Sequence, residues 1–253
     1  MPALMIPTFI ENAGALPMAT LTNVSQVKEY ELAASEHWIF NKAGASNLVG
    51  IKNGGALTVV GSAPTHNAAS LTLSATIGNQ LASAFSDQLT YTWCGVVKVP
   101  ALGQGSGVGQ TIFSTNGGNA NGGATLSIQG GTAVDLNSRA VIAGATVSNN
   151  INIADATVGI YQFYSFVMDH AGATKVRRAA SALIETTITD TGAFTPHPTL
   201  KLSLGASAND FGNGAEICEA ILFAGQALTA TQLGQVYLRS KARLLRQSGI
   251  TVA

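Results

Sequence analysis

The sequence carries unusually little charge. Of its 253 residues 10% are charged, and 13 basic residues balance 13 acidic ones, whereas ordinary soluble domains carry roughly 25%. No basic excess is present to neutralise a phosphate backbone, so nucleic-acid binding is not expected. Because charge normally keeps a protein surface soluble, we expect either polar uncharged residues or partner proteins to cover this surface. The composition therefore predicts a homo-oligomer or a component of a larger particle.

Long apolar runs and targeting signals are also lacking. No segment approaches the roughly 20 apolar residues of a membrane-spanning helix, so no membrane insertion is expected. Residues 1–7 lack the basic start and cleavage site of a signal peptide, which predicts synthesis in the cytoplasm. Three of the seven prolines fall in residues 1–34. We interpret this segment as an arm that docks on a neighbour or, equally, as a packed edge of the same domain.

Cysteine is scarce. Cys94 and Cys218 lie in apolar, strand-like runs and have no Cys or His neighbour at metal-binding spacing. We predict two buried thiols and no metal site, since free cysteine is often buried. Whether the two thiols pair as a disulfide stays open at this point.

What the sequence has is a series of short strands. They are separated by Gly, Asn, Asp and Pro clusters, and helical spacing is scarce before residue 229, which indicates an all-β sandwich or barrel. One hairpin is predicted over residues 47–60, with its turn at Asn53, Gly54 and Gly55. Further strands are predicted at 36–40, 70–76, 89–100, 110–114, 124–128, 140–147, 160–169, 174–178 and 200–204, and the strand at 89–100 is expected to be central.

The last segment predicts a helix over about 229–247. Thr229 and Gln232 fit a capping box, and Gly249 can end the helix. One face is apolar, formed by Leu233, Val236, Tyr237 and Leu244. Four basic residues lie near the C-terminal end, where cations suit the helix dipole: Arg239, Lys241, Arg243 and Arg246. We interpret them as a solvated face.

The order of these elements resembles a known superfamily. The matching pieces are residues 37–40, 47–49, 90–99, 163–169 with Gly172 in the next turn, and 217–228 followed by the helix. Together they resemble the concanavalin A-like lectin/glucanase superfamily, in the laminin-G-like jelly-roll form found in bacteriophage and bacterial proteins. The resemblance implies a two-sheet antiparallel jelly-roll sandwich with one short C-terminal helix. We assign residues 35–253 to this domain and residues 1–34 to the N-terminal arm.

No catalytic site is expected. A glucanase of this superfamily needs two carboxylates that project together into a cleft. The nearest pair, Glu216 and Glu219, would face opposite sides of a regular strand, and Cys218 occupies the middle acidic position. We therefore interpret Glu219 as a structural residue. The four histidines are scattered singly, no glycine motif for a cofactor is present, and no cofactor is expected.

Glycan contacts, if the protein makes them, are expected in two polar loops. The candidates are Asn116, Asn119, Asn121, Asn209, Asp210 and Phe211. Asn and Asp side chains can bridge sugar hydroxyls, and an aromatic ring can stack on a sugar face. Ordinary turn chemistry is the simpler interpretation of both loops.

The fold alone does not choose a function, since members of the superfamily bind glycans, mediate adhesion or build virions. The leading hypothesis is a non-enzymatic virion structural or appendage protein, either a capsid decoration protein or a tail or fibre component. It would assemble with copies of itself and with other virion proteins through its arm and its low-charge surfaces. The alternative is a lectin module that binds a cell-surface glycan. A glycan hydrolase with an unrecognised site is third.

Overall fold

Two antiparallel sheets pack face to face, and one helix covers the outside of the first. The computed structural model describes residues 29–42, 44–98, 109–115, 121–129, 135–152, 159–182, 184–205 and 214–253. The strands are β1 (Glu36–Ile39), β2 (Thr58–Val60), β3 (Thr65–His66), β4 (Leu71–Thr72), β5 (Gln80–Ser86), β6 (Thr90–Lys98), β7 (Gly109–Ser114), β8 (Ala124–Gln129), β9 (Asp135–Ile142), β10 (Ala145–Asn152), β11 (Tyr161–Asp169), β12 (Val176–Ser181), β13 (Ile184–Thr189), β14 (Lys201–Gly205) and β15 (Glu216–Ala224). The helix is α1 (Ala230–Ser248), and a 3₁₀ helix spans Gly44–Leu48.

Sheet 1 runs β13-β12-β11-β6-β15-β4-β3, with β1 also paired to β15, and sheet 2 runs β10-β9-β8-β7-β14-β5-β2. The strand order mixes near and distant segments, as in a jelly roll. The expected central strand, β6, lies between β11 and β15. The predicted all-β sandwich with a C-terminal helix is confirmed.

The core between the sheets is built around aromatic rings. Trp93 stacks on Phe113 with ring centroids 5.0 Å apart, and Trp38 lies 6.2 Å from Trp93. All three side chains are at most 1% exposed. A Cβ atom at Gly95 would lie 3.1 Å from the Phe113 ring and 3.1 Å from the Glu219 carbonyl oxygen. A glycine at position 95 therefore allows this close approach.

A second apolar layer lies between sheet 1 and α1. Leu233, Val236 and Leu244 of the helix are buried there, and Tyr237 lies 5.6 Å from the Phe163 ring. The helix begins as predicted, because the Thr229 hydroxyl accepts from the Gln232 backbone N–H while the Gln232 side chain accepts from the Thr229 N–H. Gly249 ends it in the left-handed conformation at φ 65°. Among the described residues no helix is both long and apolar enough to cross a membrane.

The predicted hairpin over residues 47–60 is wrong. The 3₁₀ helix takes its first part, only the isolated bridge between Val49 and Ala56 pairs its two sides, and β2 pairs with β5 instead. The Glu36 carboxylate explains the difference. It accepts the backbone N–H groups of residues 37, 52, 53 and 55 at 2.7–3.2 Å, so the glycine-rich loop wraps around a buried charge.

Other strand boundaries also differ from the sequence prediction. The segment predicted as one strand at 140–147 contains the β9–β10 turn, where Ala143 and Gly144 adopt positive φ. Three strands were missed. Of these, β3 has only two residues, and β5 and β13 are rich in Ser, Thr and Ala and lack a strong apolar alternation. Residues 1–28 of the predicted arm lie outside the described residues, and the division into arm and domain stays a prediction.

Candidate functional site

One end of the sandwich is crossed by the segment 190–200, which joins β13 to β14 and is called the rim loop below. Backbone bonds tie it to sheet 2. The Thr195 N–H donates to the Val141 carbonyl at 2.9 Å, and the Gly123 N–H donates to the Thr195 carbonyl at 2.8 Å. Phe194 is buried and bridges to Ile142. The loop is therefore held along its length by sheet 2.

The start of the rim loop is fixed by a buried arginine between the sheets. Arg177 is fully buried, and its Nε and Nη2 both donate to the Asp190 carboxylate at 2.8 Å. Nη1 donates to the Ser138 carbonyl and hydroxyl at 3.0 and 2.9 Å, and Nη2 also donates to Asn149 at 2.8 Å. Because Ser138 and Asn149 belong to sheet 2 and Arg177 to sheet 1, this guanidinium joins the two sheets.

His170 supports the same carboxylate. Its Nδ1 accepts the Phe194 N–H at 3.1 Å, so in the neutral ring the proton is on Nε2, which donates to Asp190 at 2.9 Å. Burial lowers the pKa of His170, although Asp190 opposes the shift. The neutral tautomer is thus set by the rim loop itself. His170 therefore holds the rim loop in place from both sides of its ring.

The far end of the rim loop rests on a buried carboxyl group. The His197 N–H donates to Asp87 Oδ2 at 2.8 Å, and the Gln88 N–H donates to Oδ1 at 3.0 Å. Burial raises the pKa of Asp87 to about 7, against the hydrogen bonds from His197 and Thr115. His197 Nδ1 in turn accepts from the Leu200 N–H at 2.9 Å, and burial lowers the pKa of His197. Asp87 was not singled out in the sequence, because its partners are distant along the chain.

The exposed groups at this end are hydroxyls and an amide. Thr191, Thr195 and Thr199 of the rim loop are exposed, as is Asn121 in the neighbouring loop. The two loops touch, since a Cβ at Gly122 would lie 2.6 Å from the Thr195 carbonyl oxygen. The end of the sandwich therefore presents several polar side chains on a backbone fixed by hydrogen bonds.

Asn121 is the one predicted glycan-contact residue that the structure describes. The other five, Asn116, Asn119, Asn209, Asp210 and Phe211, lie outside the described residues. The exposed threonines were missed, because Thr is common in turns and strands alike. The sequence feature that could have pointed to them is their regular spacing, four residues apart within the rim loop.

The outward face of sheet 2 is polar at its middle strands β7, β8 and β14, but the side chains there are buried. Ser203, Ser114 and Thr125 are successive cross-strand partners that alternate with core residues, and Thr111 bonds Ser127 in the next row at 3.1 Å. Each of these five side chains is at most 2% exposed. Unlike the threonines of the rim loop, these five side chains are therefore not accessible to a ligand.

The prediction that Glu216 and Glu219 face opposite sides of their strand is wrong. Ile217 pairs with Val97 and Glu219 with Val96, so Cys218 is an extra residue, a β-bulge that puts both carboxylates on the helix side of sheet 1. Glu216 accepts from the Tyr161 hydroxyl at 2.8 Å and pairs with Lys98 at 2.6 Å. Its side chain is 28% exposed, whereas Glu219 is fully buried.

Glu219 is enclosed by partners. Arg243 Nε donates to its Oε1 at 2.7 Å, and His37 Nε2 lies 2.9 Å from the same oxygen. Burial raises the pKa of Glu219, but the Arg243 charge and the His37 hydrogen bond outweigh it and lower the pKa to about 2. Burial likewise lowers the pKa of His37, against the contribution of Glu219. These contacts fit the structural role that the sequence predicts for Glu219.

The basic residues of α1 and the two cysteines can now be compared with their predictions. The basic residues of α1 were expected to be solvated, which is wrong for Arg243, since it is fully buried. Arg239 pairs with Glu31 at 2.8 Å, but its side chain is 41% exposed. Cys94 and Cys218 are buried free thiols, as predicted. Among the described residues no group of three or more His, Cys, Asp or Glu side chains is placed to hold a metal ion.

Comparisons with known proteins identify similar folds but no family. No protein-family model matches the sequence, and no curated protein matches it. Solved structures match over most of the chain. The binding domain of botulinum neurotoxin serotype D superposes with a TM-score of 0.58 at 14% identity, covering 82% of this chain and 51% of that one.

Two further matches come from carbohydrate-active proteins. Domain 4 of AbnA, an extracellular arabinanase from Geobacillus stearothermophilus solved with arabinotriose, has a TM-score of 0.54 at 16% identity and covers 81% of this chain and 98% of that one. A Trypanosoma rangeli sialidase mutant has a TM-score of 0.58 at 10% identity, covering 83% and 33%. The chain spans about half the length of the matched neurotoxin domains. At these identities the likeness shows the architecture alone: the chain has a two-sheet, jelly-roll β-sandwich.

Proposed function

We propose that the protein is a non-enzymatic carbohydrate-binding module whose rim contacts the glycan. The observation that carries the proposal is the rim itself: exposed Thr191, Thr195, Thr199 and Asn121 on a backbone fixed by buried hydrogen bonds. Polar groups held in place before binding lose less entropy when they pair with sugar hydroxyls. Support also comes from the matched structures, which include a domain in complex with arabinotriose and a neurotoxin whose cell entry depends on two ganglioside molecules.

Binding without hydrolysis is favoured by the state of the carboxylates. Glu219 is fully buried beneath α1 and engaged by Arg243 and His37, and Glu216 is paired with Lys98. Glycoside hydrolysis by two carboxylates needs both to face one accessible cleft. Asp87, which has a pKa raised to about 7, supports the rim from inside and is 8% exposed.

The virion role expected from the sequence stays a second proposal. Low charge and zero net charge are the features that favour it. None of the structures reported above is described as a virion component, and association with copies of itself or with virion proteins stays a prediction, as does localisation to a virion.

A glycan array followed by calorimetry tests the binding proposal. We expect selective binding to at least one glycan, and we expect the triple variant Thr191→Ala, Thr195→Ala, Thr199→Ala to weaken it about tenfold or more, since each lost hydrogen bond is worth about 1 kcal/mol. The matched control is Thr65→Ala with Thr76→Ala, two exposed threonines near the Gln80 end of β5, whereas the rim adjoins its Asp87 end. Absence of glycan binding, or equal loss in both variants, contradicts the proposal.

A further inference from the structure

The outward face of α1 presents leucines to solvent. Leu238 is 60% exposed and Leu245 is 58% exposed, and Ala242 between them is also exposed. Residues four and seven apart lie on the same side of a helix, so the three form one apolar stripe. These residues and Leu32, which is 62% exposed and belongs to the segment packed beside the helix, are called the helix patch.

The segment before β1 is fastened along α1. The Glu31 carboxylate accepts from Arg239 Nε at 3.0 Å and contacts Arg243 Nη2 at 3.3 Å. Lys52 Nζ donates to the Leu32 carbonyl at 2.8 Å. The chain therefore reaches the sandwich along the helix, and the helix patch adjoins its path.

A groove lies where this segment starts. It has a volume of about 290 Å³ and is lined by Glu29, Ile39, Asn41, Lys42, Ile51 and Gln247. Glu29 is the first described residue, and Gln247 lies at the C-terminal end of α1. Residues that precede Glu29 are thus joined directly to the groove wall, at the C-terminal end of α1.

We propose that residues 1–28 of the same chain cover the helix patch, entering through this groove. Their composition suits an apolar surface, since Glu11 and Lys28 are their only charged residues among many Leu, Ile, Met, Phe and Ala. Their length is sufficient, because 28 extended residues reach about 90 Å and the helix is about 28 Å long. Covalent attachment at Glu29 gives the segment a millimolar effective concentration at the patch.

Charge argues against a second copy of α1 as the occupant. The helix contains no acidic residue, and Lys241 and Arg246 are exposed beside the leucines. Two helices paired about a two-fold axis would bring these like charges together without compensation. Residues 1–28 have no net charge and meet no such repulsion.

Thiol labelling of the variant Leu238→Cys tests the proposal, because both native cysteines are buried. We expect the introduced thiol to react about tenfold more slowly in the full chain than after deletion of residues 1–28, since cover limits reaction to transient opening. The matched control, Ile77→Cys, replaces a residue that is 54% exposed outside the helix patch, and it is expected to react equally fast in both proteins. The full-chain substitutions Phe9→Asp and Ile10→Asp, which keep the chain length, are expected to speed labelling of Leu238→Cys as the deletion does.

Three results overturn the proposal. The first is equal labelling of Leu238→Cys with and without residues 1–28. The second is protection that grows with protein concentration, which assigns the cover to a neighbouring copy. The third is protection that arises only when vesicles of phosphatidylcholine and phosphatidylserine are added, which assigns the patch to an anionic lipid surface. Glycan binding by the rim is independent of each outcome.

Discussion

Asp87 shows how a single buried group can make stability depend on pH. Its carboxyl group lies beneath the rim loop, 8% exposed, and accepts the His197 N–H. Burial raises its pKa from 3.8 to about 7. Between these values the folded protein binds more protons at this site than the unfolded chain does. The stability that Asp87 contributes is therefore complete below about pH 3.8 and is lost as the pH rises through about 7.

The variant Asp87→Asn isolates this contribution. The amide has the shape of the protonated acid, and its oxygen can still accept the His197 N–H. We therefore expect Asp87→Asn to become more stable relative to the wild type, measured as the difference in the free energy of unfolding, as the pH rises from about 4 to about 8. His170 and His197, whose pKa values are lowered by burial, act in the opposite sense but are common to both proteins. Urea unfolding across this pH range measures the difference, and a pH-independent value contradicts the assignment.

Glu36 marks the limit of sequence-based prediction at the residue scale. The Asn53-Gly54-Gly55 segment is a genuine turn signal, and the structure does turn there. The turn closes around a carboxylate 17 to 19 residues earlier in the chain instead of joining two strands. Local turn chemistry was therefore readable, whereas the partner that sets its conformation was not.

At the scale of elements, α1 was the most predictable part of the fold. Its start, its buried face and its end depend on residues within a few positions of each other, as with Thr229 and Gln232. The partners of Arg243 were not predictable, because Glu219 and Glu31 are 24 and 212 residues away. The bulge at Cys218 was hidden for a similar reason, since only the pairing with β6 reveals the extra residue.

Removing the Arg243 charge is expected to loosen α1. In the variant Arg243→Met, Glu219 keeps only His37 and Glu31 keeps only Arg239 as an ionisable partner. Removing one member of a buried ion pair costs about 3–5 kcal/mol. The folded-state pKa of Glu219, now about 2, is expected to rise. In the wild type, the stability that ionised Glu219 contributes is lost only as the pH falls through about 2. In Arg243→Met this contribution would be lost at a higher pH.

Hydrogen exchange of α1 peptides and urea unfolding measure this effect. The matched control is Arg246→Met, which removes an exposed arginine from the same helix and is expected to change stability by no more than about 0.5 kcal/mol. Equal effects of the two substitutions would mean that the buried ion network contributes nothing beyond helix propensity.

Across the whole molecule, charge is placed inside as well as outside. Among the residues whose burial the structure describes, six with charged side chains are buried: Glu31, Glu36, Asp87, Arg177, Glu219 and Arg243. With 13 basic and 13 acidic residues in all, the surface is poorer in charge than the composition suggests. Part of the small amount of charge joins layers of the sandwich, and the covered or associating surface that the low charge predicts stays a prediction.

Arg177 makes the strongest case that these charges hold the layers together. It donates hydrogen bonds to Asp190, Ser138 and Asn149, and so connects sheet 1, sheet 2 and the rim loop. The variant Arg177→Met leaves the Asp190 carboxylate, 3% exposed, with His170 as its remaining ionisable partner. We expect the free energy of unfolding to fall by about 3–5 kcal/mol.

The two sheets should still unfold together in the wild type, so fluorescence of Trp38 and Trp93 in the core and circular dichroism of the strands should give one transition. Lys201→Met serves as the control, because Lys201 bonds only the Ser86 hydroxyl at the surface of sheet 2, and a change below about 1 kcal/mol is expected. If Arg177→Met is as mild as this control, then apolar packing alone joins the sheets. If it also abolishes glycan binding while the sandwich stays folded, then the buried arginine positions the rim.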